Sequence, residues 1–160
     1  MKIEMVKERP SGGRFFVDGV WPCPYLEKER PENMTLTGFL EGEELANLYA
    51  AADLFVFPSA SETFGNVVLE SLACATPVVG TNAGGVRNIV QQGKTGLLCK
   101  EKNAADFASA VEYLLVNEKL RRQMGEEGYR YDQAQSWDAI FRHLLAEYEE
   151  VLQSKAIKLA

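Results

Sequence analysis

The sequence predicts an α/β domain built on a parallel sheet with flanking helices. Two nearly continuous apolar runs, Asp53-Leu-Phe-Val-Phe-Pro58 and Thr76-Pro-Val-Val-Gly80, read as strands buried on both faces, as crossover helices require. Amphipathic segments lie between and after them, and strand and helix alternate from Thr35 onward.

The elements follow in order. Arg14-Phe-Phe-Val-Asp18 resembles a strand within a breaker-rich first third that holds Arg9-Pro-Ser-Gly-Gly13 and Trp21-Pro-Cys-Pro24. Met34 to Gly38 reads as a short strand. Gly42 to Ala52, with Leu45, Leu48 and Tyr49 at helical spacing, reads as a helix. After the Asp53–Pro58 strand, a helix is expected from about Phe64 to Ala75. Pro77 opens the next strand, where a missing N–H is tolerated. Asn82-Ala-Gly-Gly85 is a turn, Val86 to Gln91 a brief helix, and Thr95 to Cys99 a strand. Ala104 to Val116 is amphipathic through Phe107, Ala110, Val111 and Leu114. Helices are expected from Glu118 to about Tyr129 and from Trp137 to about Ser154. The second carries Ile140, Phe141, Leu144, Leu145, Tyr148, Val151 and Leu152 on one stripe.

Composition narrows the partners. A chain of 160 residues with 46% hydrophobic content can bury one ordinary core. Its net charge of -6, from 23 acidic and 17 basic residues without long blocks, argues against nucleic acid or an anionic membrane as the main partner. No stretch approaches the roughly 20 apolar residues of a membrane span. Cys23, Cys74 and Cys99 form neither a disulfide framework nor a metal-ligand spacing, which fits a reduced, cytoplasmic setting without a metal site.

The chemistry concentrates where the first apolar run meets its helix. The amides of a helix start carry partial positive charge and suit a diphosphate. Gly65 lets a ligand approach the backbone, so Phe64, Gly65, Asn66 and Val67 are candidate donors. Glu62 and Glu70 flank this start. A carboxylate accepts paired hydrogen bonds and so matches vicinal hydroxyls of a sugar or a ribose. An ideal helix would separate the pair by roughly 12 Å along its axis and about 80° around it.

The run Phe57-Pro-Ser-Ala-Ser-Glu-Thr-Phe-Gly-Asn-Val-Val-Leu-Glu70, continued through Pro77-Val-Val and Gly84-Gly85, closely resembles the nucleotide-sugar-binding domain of retaining GT-B glycosyltransferases. The resemblance continues through Gly93-Lys-Thr-Gly-Leu-Leu98 and covers roughly Pro31 to Leu152. It implies a Rossmann-like domain, the C-terminal half of a GT-B fold, that moves a hexose from a UDP- or GDP-hexose with retention and without an essential metal or other cofactor. By resemblance Glu62 is the catalytic-centre residue that binds donor hydroxyls. Phe64, Gly65, Asn66, Val67, Gly84 and Gly85 contact the donor, and Glu70 binds the ribose.

The departures matter equally. The family's upstream Gly-Arg and Lys, whose cations neutralise the diphosphate, are not reproduced, and Val17-Asp-Gly-Val-Trp-Pro-Cys-Pro24 stands in place of a Gly-Asp-Gly-Pro turn. Residues 1–30 are therefore expected to be an atypical remnant, with the donor-binding domain over 31–160, the first strand lacking, and the N-terminal acceptor domain missing or supplied by a partner chain. The competing expectation is a non-catalytic truncated product that folds and self-associates as a homo-oligomer. Gly93-Lys-Thr resembles a P-loop end but is read as a turn, since Asn88 replaces the required first glycine. His143 reads as a surface histidine and Cys74 as a small buried residue.

Overall fold

The structure, a computed structural model, describes residues 3–7, 14–18 and 31–158. One six-stranded sheet has the order β3-β2-β1-β4-β5-β6, comprising β1 (Ile3–Lys7), β2 (Arg14–Asp18), β3 (Met34–Gly38), β4 (Leu54–Phe57), β5 (Val78–Thr81) and β6 (Gly96–Cys99). Its helices are α1 (Gly42–Ala51), α2 (Asn66–Ala73), α3 (Val86–Ile89), α4 (Ala104–Val116), α5 (Glu118–Gln133) and α6 (Trp137–Lys158).

Five strands run parallel to one another, as the alternation predicts. The exception is β1, which is antiparallel to both neighbours, with Ile3 opposite Asp18 and Glu4 opposite Val56. The expected parallel first strand is thus lacking, but its central slot is filled in reverse rather than left as an open edge. Ile3–Lys7 escapes a sequence reading because Glu4 and Lys7 interrupt the apolar run that marks a central strand. The reversal has a consequence at the carboxyl edge of the sheet, where ligands of such folds bind and where the first strand-to-helix turn usually sits. Lys7 pairs with Arg14 at the opposite edge, so β1 enters β2 away from that crevice.

Period-two alternation divides the core. Phe55 and Phe57 of β4 and Val78 of β5 face α1, α2 and α3, meeting Tyr49, Val68, Leu72, Val86 and Ile89. Leu54, Val56 and Val79 face the other way, toward Leu114 of α4 and Met124 of α5. Tyr49 packs edge-on against Phe55 with ring centroids 5.3 Å apart. Two buried hydroxyls are satisfied within this core: Thr76 donates to the Tyr49 carbonyl at 2.7 Å and Ser71 to the Thr76 carbonyl at 2.9 Å.

Two features lock α5 onto the rest. Gly125 and Gly128 let it cross α2 closely, since a Cβ at Gly125 would collide with the Ala75 carbonyl and one at Gly128 would lie 2.6 Å from Leu72 Cδ2. Arg121, only 7% exposed, bonds Asp53 at 3.0 Å and the last carbonyls of α4, Leu114 at 3.1 Å and Leu115 at 3.0 Å.

Helix α2 ends in a Schellman arrangement, with Thr76 N–H on the Ser71 carbonyl at 3.0 Å and Ala75 N–H on the Leu72 carbonyl at 2.9 Å. This geometry puts Ala75 at φ 57°, a left-handed conformation that costs an L-residue roughly 1–2 kcal/mol. Ala75→Gly is expected to stabilise the domain by about 1 kcal/mol, read as a raised midpoint in urea unfolding at unchanged slope.

Cys74 is half-buried rather than buried, and Cys99 is buried. Burial pushes the Cys99 thiol up to about 11, and burial, with Asp132 and Glu70 nearby, raises that of Cys74, so both stay protonated and unreactive at neutral pH. Lys94 sits in an exposed turn 3.7 Å from Glu127. His143 lies exposed on α6, 3.2 Å from Glu147. Cys23 lies outside the described residues.

Candidate functional site

The loop between β4 and α2 leaves the carboxyl edge of the sheet beside the central slot. Gly65 adopts φ 77° and turns the chain into α2, which starts at Asn66, two residues later than the sequence suggests. Glu62 therefore lies in the loop, and the ideal-helix spacing to Glu70 does not apply. A Cβ at Gly65 would stand 2.7 Å from Ile89 Cδ1, so glycine serves both the turn and the packing on α3.

Glu62 folds back onto the helix start. Its Oε1 accepts the Gly65 N–H at 3.1 Å and, more weakly, the Phe64 N–H at 3.4 Å. Two of the four amides expected to face a ligand are thus held by the chain's own carboxylate. The other two, Asn66 and Val67, open the first turn of α2 and have no acceptor among the described residues. Phe64 projects into solvent, 76% exposed, at the lip of the loop.

Gly84 and Gly85 clamp this loop from below. The Gly85 N–H donates to the Glu62 carbonyl at 2.8 Å. A Cβ at Gly85 would lie 2.5 Å from the Thr63 carbonyl oxygen, and one at Gly84, at φ 54°, would collide with the carbonyl of Glu62. The pair of glycines holds two loops in contact, with the Gly85 amide already committed.

The two glutamates open onto different cavities. Glu62 joins Ala60, Ser61, Thr63, Gly84, Gly85, Arg87 and Asn88 around a space of about 520 Å³. Glu70 joins Asn66, Leu69, Ala73 and Asp132 around one of about 320 Å³. Asn66 belongs to the second, and in the chain the Asn66–Val67 amides fall between the two carboxylates. Arg87 and Asp132 are the charged groups that sequence reasoning missed. Arg87 adjoins the Gly-Gly turn and gives the Glu62 cavity a cation, but an exposed arginine in a short helix carries no spacing signal. Asp132 reaches the Glu70 cavity from α5, and only the crossing of α5 over α2 brings it there.

Desolvation raises the Glu70 carboxyl above its ordinary value of 4.5, and a hydrogen bond from Tyr49 pulls it partly back. Desolvation raises Asp132 as well. The folded state therefore favours protonated Glu70, whose contribution to stability is fully present below about 4.5 and falls as pH rises through that value toward the raised one. Glu70→Gln is expected to flatten this fall, leaving the Asp132 share, and to raise Tm at neutral more than at acid pH. Thermal melts of both proteins across that range check it.

The site can be set beside known proteins. The model of the family described as glycosyl transferases group 1 matches residues 23–131. The chain belongs to this family. The match takes in the Glu62–Glu70 segment, the Gly84-Gly85 clamp and Asp132's neighbour Tyr131, so both cavities lie almost wholly inside it.

Among similar proteins, a D-inositol 3-phosphate glycosyltransferase of Corynebacterium jeikeium is 42% identical over 109 residues, covering 68% of this chain and 26% of that protein. An uncharacterized glycosyltransferase of Methanocaldococcus jannaschii is 33% identical over 127 residues, covering 79% of this chain and 36% of its own length. Among solved structures, sucrose-phosphate synthase of Thermosynechococcus elongatus superposes with a TM-score of 0.73 at 27% identity, covering 87% of this chain and 38% of that one. The chain thus spans about a quarter to two fifths of these relatives, and it shares the GT-B glycosyltransferase fold of its structural neighbours.

Proposed function

We propose that this chain is the donor-binding half of a retaining hexosyltransferase. A nucleoside-diphosphate hexose, with uracil or guanine as base, would lie across the start of α2. Its sugar would occupy the Glu62 cavity, its diphosphate would face the Asn66 and Val67 amides, and its ribose hydroxyls would meet Glu70. The observation that carries this reading is the placement of two carboxylates in neighbouring cavities on either side of two free helix-start amides. Family membership supports the same assignment.

The chemistry asked of such a site is stabilisation of a departing diphosphate while the acceptor attacks from the same face. Amide dipoles and the Arg87 guanidinium supply positive potential there, and Glu62 orients the hexose. To do so Glu62 exchanges the Phe64 and Gly65 amides for sugar hydroxyls, leaving those amides to the ligand. No metal or cofactor enters this scheme. The acceptor site belongs to a domain outside this chain, either in the remainder of a longer protein or on a partner.

A second reading is favoured by the reversed β1. Because β1 runs in reverse, its own connection to β2 leaves from the opposite edge, so among the described residues no turn after β1 brings cations to the carboxyl edge, and on this reading the isolated chain would bind donor without transferring it. Titration calorimetry with UDP- and GDP-hexoses tests the first reading, with saturable heat expected for one of them and lost in Glu70→Ala. Absence of heat with every donor would sink it. Release of nucleoside diphosphate by the isolated chain, given a bound donor, would count against the second.

A further inference from the structure

Glu70 is exposed and carries a long side chain, so alone it would sample several rotamers over the cavity of about 320 Å³ that it lines with Asp132. One partner restricts it. The hydroxyl of Tyr49, on α1, donates a hydrogen bond to the Glu70 carboxylate.

Tyr49 is itself held from several sides. It is 1% exposed, its ring stands edge-on to Phe55 with centroids 5.3 Å apart, and its carbonyl accepts the Thr76 hydroxyl at 2.7 Å. It shares a core cluster with Val68 and Leu72 of α2, the helix that carries Glu70. A mobile acid is therefore tied to a fixed donor. Tyr49 does not line the Glu70 cavity, so what it contributes to a ligand there passes through Glu70.

On the reading of Glu70 as the ribose ligand, we infer that Tyr49 is a positioning residue of the donor site, whose hydroxyl fixes the carboxylate so that its remaining acceptors face vicinal hydroxyls in the cavity. A carboxylate offers about four acceptor positions, so one bond to Tyr49 leaves room for a paired contact with ribose.

The tie also favours the charged form. Desolvation raises the Glu70 carboxyl and the Tyr49 bond draws it partly back, so without that hydroxyl Glu70 would keep its proton to higher pH. A protonated carboxyl loses the charge that strengthens its bonds to ribose hydroxyls. The other titratable groups around Glu70 are Asp132, which reaches the cavity from α5, and Cys74, one turn further along α2. The Cys74 thiol is raised and stays protonated, which leaves Asp132 as the group to separate from Glu70 by mutation.

Tyr49→Phe keeps the ring and removes only the hydroxyl. Titration calorimetry with UDP and GDP is expected to show the preferred nucleotide bound about threefold to tenfold more weakly by this variant, the cost of ordering a freed side chain. Affinity should fall toward acid pH in both proteins, with the midpoint moved to higher pH in Tyr49→Phe. Both differences should vanish with the dideoxyribose form of that nucleotide, which offers Glu70 no hydroxyls, and the midpoint shift should persist in Asp132→Asn. Urea unfolding confirms that each variant is folded. Equal affinity and an unmoved midpoint in Tyr49→Phe, where Glu70→Ala abolishes binding, overturn the positioning role and leave Glu70 as the ribose ligand. A difference undiminished with the dideoxyribose nucleotide overturns it too, since the hydroxyl then acts on the fold and not on ribose. So does a midpoint shift that disappears in Asp132→Asn. Binding of neither nucleotide by the wild-type chain removes the donor site, and this role with it.

Discussion

Arg121→Ala is expected to destabilise the domain by about 3 kcal/mol, the range found when one partner of a buried polar cluster is removed. The guanidinium joins three parts of the fold: Asp53 at the entrance to β4, the carbonyls of Leu114 and Leu115 at the end of α4, and α5 itself. Truncation takes one donor from Asp53 and from each of two carbonyls and removes the buried stem. Urea unfolding should show the midpoint falling at unchanged slope. Arg121→Lys should recover only part of the loss, because one ammonium cannot reproduce the fork that reaches both groups. Full stability in Arg121→Ala would mean that α5 is held by its Gly125 and Gly128 crossing alone.

Glu62→Ala is expected to weaken donor binding by roughly tenfold to a hundredfold, from the loss of about 1.5–3 kcal/mol of hydrogen bonds to a charged group. The same substitution removes the acceptor for the Phe64 and Gly65 amides, so it should also cost about 1 kcal/mol of stability, as the loss of a helix cap does. The two effects separate by measurement. Calorimetry reads the affinity, and chemical unfolding of the free chain reads the stability. Glu62→Gln, which keeps an acceptor oxygen, should retain most of the stability and little of the affinity. Equal affinity in all three proteins would remove Glu62 from the donor site.

Much of the fold was legible because its signals are local. Leu54–Phe57 and Val78–Thr81 are apolar without alternation, as strands covered on both faces must be, and they fell where expected. Ala104–Val116 matched its amphipathic stretch to the residue. Helix α2 began later than expected because the left-handed Gly65 forms the turn, which the sequence signals only as a glycine of unspecified conformation. Helix α5 ran on to Gln133, where Tyr131 packs on the core and Asp132 enters the Glu70 cavity.

By itself the sequence determined the alternating α/β architecture, the segment that carries the site and the family to which it belongs. Short-range periodicity and a dense run of turn, glycine and carboxylate residues suffice for these. Tertiary structure alone decided that Ile3–Lys7 occupies the centre of the sheet in reverse, because strand direction is set by which edges remain unpaired and not by composition. It also decided that Glu62 spends its carboxylate on its own helix start, and that Arg87 and Asp132 join the two cavities. The places of Arg87 and Asp132 depend on loop closure and on helices crossing at glycines, contacts between residues far apart in the chain, whereas that of Glu62 follows from the left-handed turn at Gly65, whose conformation the sequence leaves open.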